Sequence, residues 1–157
     1  MSESAGRKYT LDELGKLESL DVDALRSMFT LELAGEKFYN ALAGRVDNEQ
    51  AAELLRRNGR EEAGHARRID RAIAIKLGHP FTPTPDMLEQ PDMQLPEHIG
   101  TDLLRVIVQA EFDGDAGYQR WADNEDLPAV ERLLRLNGRE ESIHGRRVEQ
   151  AIALLDQ

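Results

Sequence analysis

Apolar positions along this chain recur at the three- and four-residue spacing of helices, in four long runs. In the first, Leu25, Met28, Phe29, Glu32, Glu36, Tyr39 and Ala43 share one stripe; in the second, Ala51, Leu55, Asn58, Glu62, His65, Ile69 and Ala72 do. The third carries Leu104, Ile107, Val108, Glu111, Asp115, Tyr118 and Ala122, and the fourth Val130, Leu134, Asn137, Glu141, His144, Val148 and Ala151. The pattern predicts an all-α fold. It also sets acids, amides and imidazoles on stripes that face a core, where charged groups are rarely tolerated unpaired.

Local signals bound the helices. After a polar start of about nine residues, Thr10 and Glu13 have the form of a capping box, which predicts a short helix near 11–18. Asp21 or Asp23 caps the first long helix, Gly44 to Asp47 supplies a turn, and Gly78 followed by Pro80 stops the second helix near Leu77. Residues 78–99 hold five of the six prolines and cannot continue a helix. A third helix is expected from Thr101 or Asp102, and a fourth from Asp126, with Pro128 in its first turn. Helices of 25 to 30 residues are roughly 40 Å long at about 1.5 Å per residue, a distance that the extended 78–99 segment can cross. The chain thus reads as two helical hairpins, about 20–77 and 100–156, joined by a long crossover linker.

The hairpins are copies of each other. NGREEAGHARRIDRAIAI, Asn58 to Ile75, returns as NGREESIHGRRVEQAIAL, Asn137 to Leu154, at an offset of 79 residues. Positions 26–75 and 105–154 agree, ungapped, at roughly two places in five, which marks an internal duplication. Neither half can bury its apolar stripe alone, so the two are expected to pack about a pseudo-twofold axis. Each copy contains Glu-x-x-His, Glu62 to His65 and Glu141 to His144, a spacing that stacks carboxylate and imidazole on one helix face. Glu32 and Glu111 stand thirty residues before the motif glutamates and obey the same offset. A pseudo-twofold therefore brings Glu32, Glu62, His65, Glu111, Glu141 and His144 to mid-bundle. Four buried carboxylates without counter-charge would cost several kcal/mol each, and two divalent cations resolve that conflict. Oxygen and imidazole donors suit iron or manganese, and the donor types do not separate those from zinc. Glu36 and Asp115, four residues beyond Glu32 and Glu111, are candidates for additional ligands or for hydrogen-bond acceptors around them.

Composition narrows the remaining choices. At 157 residues the chain suits one domain with a full core. A net charge of −10 argues against nucleic acid as the main ligand, and no apolar run approaches the roughly 20 residues of a membrane span. The start, MSESAGRKYT, has no apolar targeting segment, so a soluble cytoplasmic protein is expected. There is no cysteine, hence no thiolate metal site or iron-sulfur cluster in this chain, and any electron donor must be external. The arginines after each motif, Arg67, Arg68, Arg146 and Arg147, are expected to form solvated ion pairs. Gly59 and Gly138 are expected to permit close helix approach, and Asn58 and Asn137 either to orient ligands or to set helix register.

A glutamate, a 29-residue gap and Glu-x-x-His, given twice in one four-helix chain, resembles the rubrerythrin group of the ferritin-like superfamily over residues of about 22–155. The resemblance implies one ferritin-like domain spanning 1–157, a ferritin-like four-helix bundle and two Fe ions per chain at the six residues named. It implies peroxidase or oxidase activity against hydrogen peroxide or dioxygen, an external donor such as a rubredoxin-like protein or another reductase, and a homodimer or small homo-oligomer. Tyr39 and Tyr118, seven residues beyond Glu32 and Glu111, resemble that family's tyrosines beside the ligands, and a plain core role is the alternative reading of each. The chain departs from the family at Gly114, where a further glutamate is usual, and this places the family's peroxide-linked carboxylate switch in doubt. Iron storage with ferroxidase activity, a di-metal hydroxylase and a purely structural bundle are the alternative expectations.

Overall fold

The computed structural model describes residues 6–157; the first five residues of the polar start lie outside the described residues. The chain is all-α among them, with α1 Leu11–Gly15, α2 Val22–Ala43, α3 Glu49–Leu77, α4 Pro85–Leu88, α5 Thr101–Asp123 and α6 Pro128–Leu155. The caps explain most of the boundaries. Thr10 and Glu13 close the expected capping box, although α1 stops at Gly15 rather than near residue 18. The Asp21 carboxylate accepts the Ala24 N–H at 2.8 Å, and Asn48 accepts that of Ala51 at 2.9 Å. Gly78 ends α3 with φ of 76°, the left-handed conformation that favours glycine.

α5 begins at Thr101, one of the two expected starts, and the start of α6 differs from expectation. Gly100 precedes α5 with no side-chain cap, and Leu127 precedes α6, so Asp126 caps nothing; Pro128 at the first turn starts α6 instead. The linker also contains one helical turn, α4, opened by Pro85.

Helices α2 and α3 form one hairpin, α5 and α6 the other, and they meet chiefly through α3 and α6. Asn58 on α3 donates to the carbonyl of His144 on α6 at 3.1 Å, and Asn137 on α6 donates to the carbonyl of His65 on α3 at 3.3 Å. The exchange is reciprocal, as an antiparallel pair about a pseudo-twofold requires. Both asparagines thus tie α3 to α6 at the backbone of the opposite motif histidine, and Asn137 also donates to the Tyr118 hydroxyl at 3.4 Å.

The core lies in two clusters. One packs Leu25, Met28, Phe29, Ile69 and Ile73 against Tyr118, Trp121 and Leu134; the other packs Tyr39, Leu42 and Leu55 against Leu104, Ile107 and Val148. Between them sits the polar layer. The linker runs along α2 from one end of the bundle to the other: Phe81 stacks edge-on against Phe29 at 5.6 Å, Lys37 donates to the Gln90 carbonyl at 2.8 Å, and the Ile99 N–H reaches the Arg45 carbonyl at 2.9 Å. It is a crossover, and the second hairpin consequently starts at the opposite end from the first. That reversal is what turns two sequence copies into an antiparallel pair with their motifs at the same depth.

Candidate metal centre

Glu32 on α2, Glu62 and His65 on α3, Glu111 on α5, and Glu141 and His144 on α6 are all buried; the most exposed, Glu111, keeps 8 % of its surface. Glu-x-x-His spacing puts each pair on the α3 or α6 face that the opposite hairpin covers. Glycine sets the depth of that packing. A Cβ on Gly138 would lie 2.9 Å from the Tyr118 Cβ, and one on Gly59 3.3 Å from the Tyr39 Cβ, so both permit the close approach expected of them.

Ligating atoms of Glu62, His65, Glu141 and His144 lie within 4.8 Å of one another. His65 Nδ1 faces Glu141 Oε1 at 3.0 Å, Glu62 Oε2 at 3.4 Å and Glu32 Oε2 at 3.5 Å. His144 Nδ1 faces Glu62 Oε1 at 3.3 Å and Glu111 Oε2 at 3.8 Å. Glu62 thus turns one oxygen to each imidazole, and the rings stack with centroids 5.0 Å apart.

Both tyrosines meet the cluster crosswise. Tyr118 donates to Glu32 Oε1 and Tyr39 to Glu111 Oε1, each reaching a glutamate of the other hairpin. Each carboxylate is left with Oε2 turned to a histidine. Burial and then the adjacent carboxylate push both phenols well above their ordinary values, so they remain donors. Asp115 instead accepts from Ser142 and Gln119, and Glu36 makes no hydrogen bond or ion pair with the cluster among the described residues.

Two functional residues escape a reading of the stripes. Glu140 Oε2 meets His65 Nε2 at 2.9 Å, and Arg68 grips Glu140 through two bonds of 2.8 and 2.9 Å. Its counterpart Glu61 accepts from Arg147 at 2.6 Å. Arg68 and Arg147 also donate to Asn137 and Asn58, at 3.1 Å each, so they are not solvated ion pairs as their position after the motif suggested. They bridge the two motif helices because the antiparallel crossing sets the arginine of one copy over the acid of the other. Arg67 and Arg146 are exposed. The doubled glutamate, Glu61–Glu62 and Glu140–Glu141, was the available signal; its first member lies one position off the stripe and reads alone as surface.

The electrostatics show what the cluster lacks. Burial and then repulsion from Glu62 raise the Glu32 carboxyl to about 8, and the same causes in the same order push Glu141 well above the carboxylate range. Burial also opposes charge on Glu62, but His144 and His65 outweigh it and keep that group ionised. Burial opposes a charged His65 as well, yet Glu140, Glu141, Glu32 and Glu62 together hold it protonated far above its usual range. The His65 contact is the main reason that Glu140 falls to about 2, with burial opposing and Arg68 assisting. Protons are therefore held where positive charge is wanted.

The residues fit a pair of divalent cations. His65 Nδ1, His144 Nδ1 and Glu111 Oε2 are buried and make no hydrogen bond, and all three border the space among the carboxylates. Four carboxylates and two neutral imidazoles balance two doubly charged ions. Gly114 stands against Glu141: a Cβ there would lie 3.5 Å from Oε2, and one on the equivalent Gly35 would lie 3.3 Å from Glu62 Oε2. The two halves match in having no acid at this position.

No described helix is long and apolar enough to cross a membrane. Comparison with curated proteins gives no match, nor does comparison with solved structures. The rubrerythrin family model matches residues 23–79, which is nearly all of α2, the turn and α3. Over those residues the chain is similar to the rubrerythrin family, a ferritin-like di-iron family, and the buried glutamate–histidine cluster fits a di-iron site.

Proposed function

We propose that the protein is a non-haem di-iron oxidoreductase that reduces hydrogen peroxide or dioxygen in the cytoplasm, drawing electrons from an external donor and working as a homodimer or small homo-oligomer. The observation that carries this reading is the set of buried, unbonded donor atoms, His65 Nδ1, His144 Nδ1 and Glu111 Oε2, among four carboxylates. Glu62 and Glu141 would help to hold the ions at the centre of the cluster, since Glu62 turns an oxygen to each histidine and Glu141 reaches across to His65. Glu32 with His65, and Glu111 with His144, would complete the two ends. Iron held there would pass on two electrons per ferrous pair, enough with two protons to take hydrogen peroxide to two waters, while dioxygen needs four electrons and four protons, the further two electrons coming from the external donor.

The chain's own groups keep that site in shape. Tyr118 and Tyr39 occupy one oxygen of Glu32 and Glu111 and aim the other inward. Glu140 takes the outer nitrogen of His65 and leaves Nδ1 for the ion. Burial excludes bulk water, so these contacts act in a low dielectric. Two surface cavities, of about 550 and 410 Å³, are lined by α2, α3 and linker residues such as Arg71 and Phe81, the smaller also by Gly6 to Tyr9, and neither includes any of the six ligands.

The test is anaerobic loading of the purified protein with ferrous iron, with metal counted by mass spectrometry and an optical spectrum followed as peroxide or air is admitted. Two irons per chain and faster ferric absorption with peroxide are expected. Faster oxidation by air together with a large hollow assembly would favour iron storage. No iron uptake would overturn the reading.

A further inference from the structure

The six ligands repeat exactly one for one between the hairpins, but their surroundings do not. His65 Nε2 is 2.9 Å from Glu140, whereas His144 Nε2 is 3.9 Å from Glu61 and has no hydrogen bond among the described residues. The inner nitrogens differ in the same sense: His65 Nδ1 has three carboxylates within 3.5 Å, while His144 Nδ1 has one at 3.3 Å and the next at 3.8 Å. The cause can be traced to one departure from the repeat. Glu61 lies 3.6 Å from Arg57 on the same helix as well as 2.6 Å from Arg147, so two guanidinium groups draw it away from His144. The position equivalent to Arg57 in the second copy is Leu136, half exposed and uncharged, and Glu140 is held by Arg68 alone, in a pose that still reaches His65.

Resting on the metal-centre reading above, we propose that the two cation positions are unequal and fill in order, the Glu32–His65 position first and the Glu111–His144 position second, with Glu140 and Arg57 as the positioning residues that set the order. A carboxylate on the outer imidazole nitrogen fixes the tautomer and the ring and makes the inner nitrogen a stronger donor; removing such a partner typically weakens metal binding by about 10–100-fold. His65 has that partner and His144 does not.

Cobalt(II) titration of the full chain, followed by calorimetry and by visible absorption, tests this. The wild-type protein should take up two cobalt ions in two resolved steps. Glu140→Gln should weaken the tighter step by about 10–100-fold and change the absorption of the first ion bound, whereas Glu61→Gln should leave both nearly unchanged. Arg57→Leu, an exposed substitution that imposes no burden on folding, should release Glu61 to His144 and tighten the second step, bringing the two together. Repulsion between the ions would by itself also separate the steps, but Glu140→Gln and Glu61→Gln would then act alike, and that result overturns the proposal. Two indistinguishable ions in the wild-type protein would overturn the ordering alone, and failure to bind any cobalt would overturn both the ordering and the metal-centre reading.

Discussion

The tyrosines separate packing from ligand control at the scale of single residues. Tyr118 is both a large core side chain and the donor to Glu32, and Tyr118→Phe keeps the first role while removing the second. The expected outcome is a folded protein whose affinity at the Glu32 position falls by about 10-fold or more, read by competition with a chelator. Unchanged affinity would reduce the tyrosine to packing. Gly138 tests the spacing beneath it. The Cβ of Gly138→Ala would meet Tyr118 Cβ at 2.9 Å and the side chains of Asp115 and Gln119 still closer, and α5 cannot yield without moving Tyr118. Such overpacking costs about 1–3 kcal/mol, which exceeds the gain of about 1 kcal/mol in helix propensity. Gly59→Ala, where the nearest contacts begin at 3.2 Å, should cost less in the same urea denaturation series.

Among the elements, the contact between α3 and α6 decides whether the two motifs meet. Asn137 donates to the His65 carbonyl and accepts from Arg68, and Asn58 mirrors it with His144 and Arg147. Asn137→Ala leaves a buried carbonyl and a half-buried guanidinium short of a partner, an expected loss of about 1–3 kcal/mol. A loss with no change in metal affinity would confine the asparagine to register; a loss of both would show that register and ligand geometry are one property. Sequence reading placed the four long helices because their stripes are long and their caps strong. It misplaced the start of α6, since Asp126 is a good cap by type and Leu127 is the residue the chain uses. Proline at the first turn makes a side-chain cap dispensable there.

For the whole molecule, the buried charge makes stability depend on pH in a direction opposite to that of an ordinary acidic protein. Glu32, at about 8, and Glu141 are raised above their unfolded values, so the metal-free fold binds more protons than the unfolded chain between about pH 4.5 and 8. His65, also raised, acts the same way once the pH passes its unfolded value of about 6.5. Stability from these groups is complete at the acid side of that window and is lost as pH rises through it. Glu140 and Glu62 are lowered, and their contribution fades only towards about pH 2. The metal-free protein should therefore melt at a lower temperature at pH 8 than at pH 5. With metal bound the trend should reverse, because cations replace the protons and compete with them. Scanning calorimetry of both forms checks this; a metal-free midpoint that is flat or rising from pH 5 to 8 would contradict a clustered, buried site.

Sequence alone determined the helices, the duplication and the identity of six candidate ligands, because helical periodicity is local and a repeat of 79 residues carries its chemistry with it. It also held the Arg57 and Leu136 difference, but without meaning, since nothing in the order of residues says that Arg57 competes for an acid facing the other hairpin. Tertiary structure decided that Glu140 meets a histidine across the bundle while Glu61 is held by an arginine there, that Arg68 and Arg147 turn inward, and that the tyrosines reach the opposite hairpin's glutamates. All of these are contacts between residues about 70 to 90 positions apart. They exist only because the crossover reverses the second hairpin against the first, and no local pattern records that reversal.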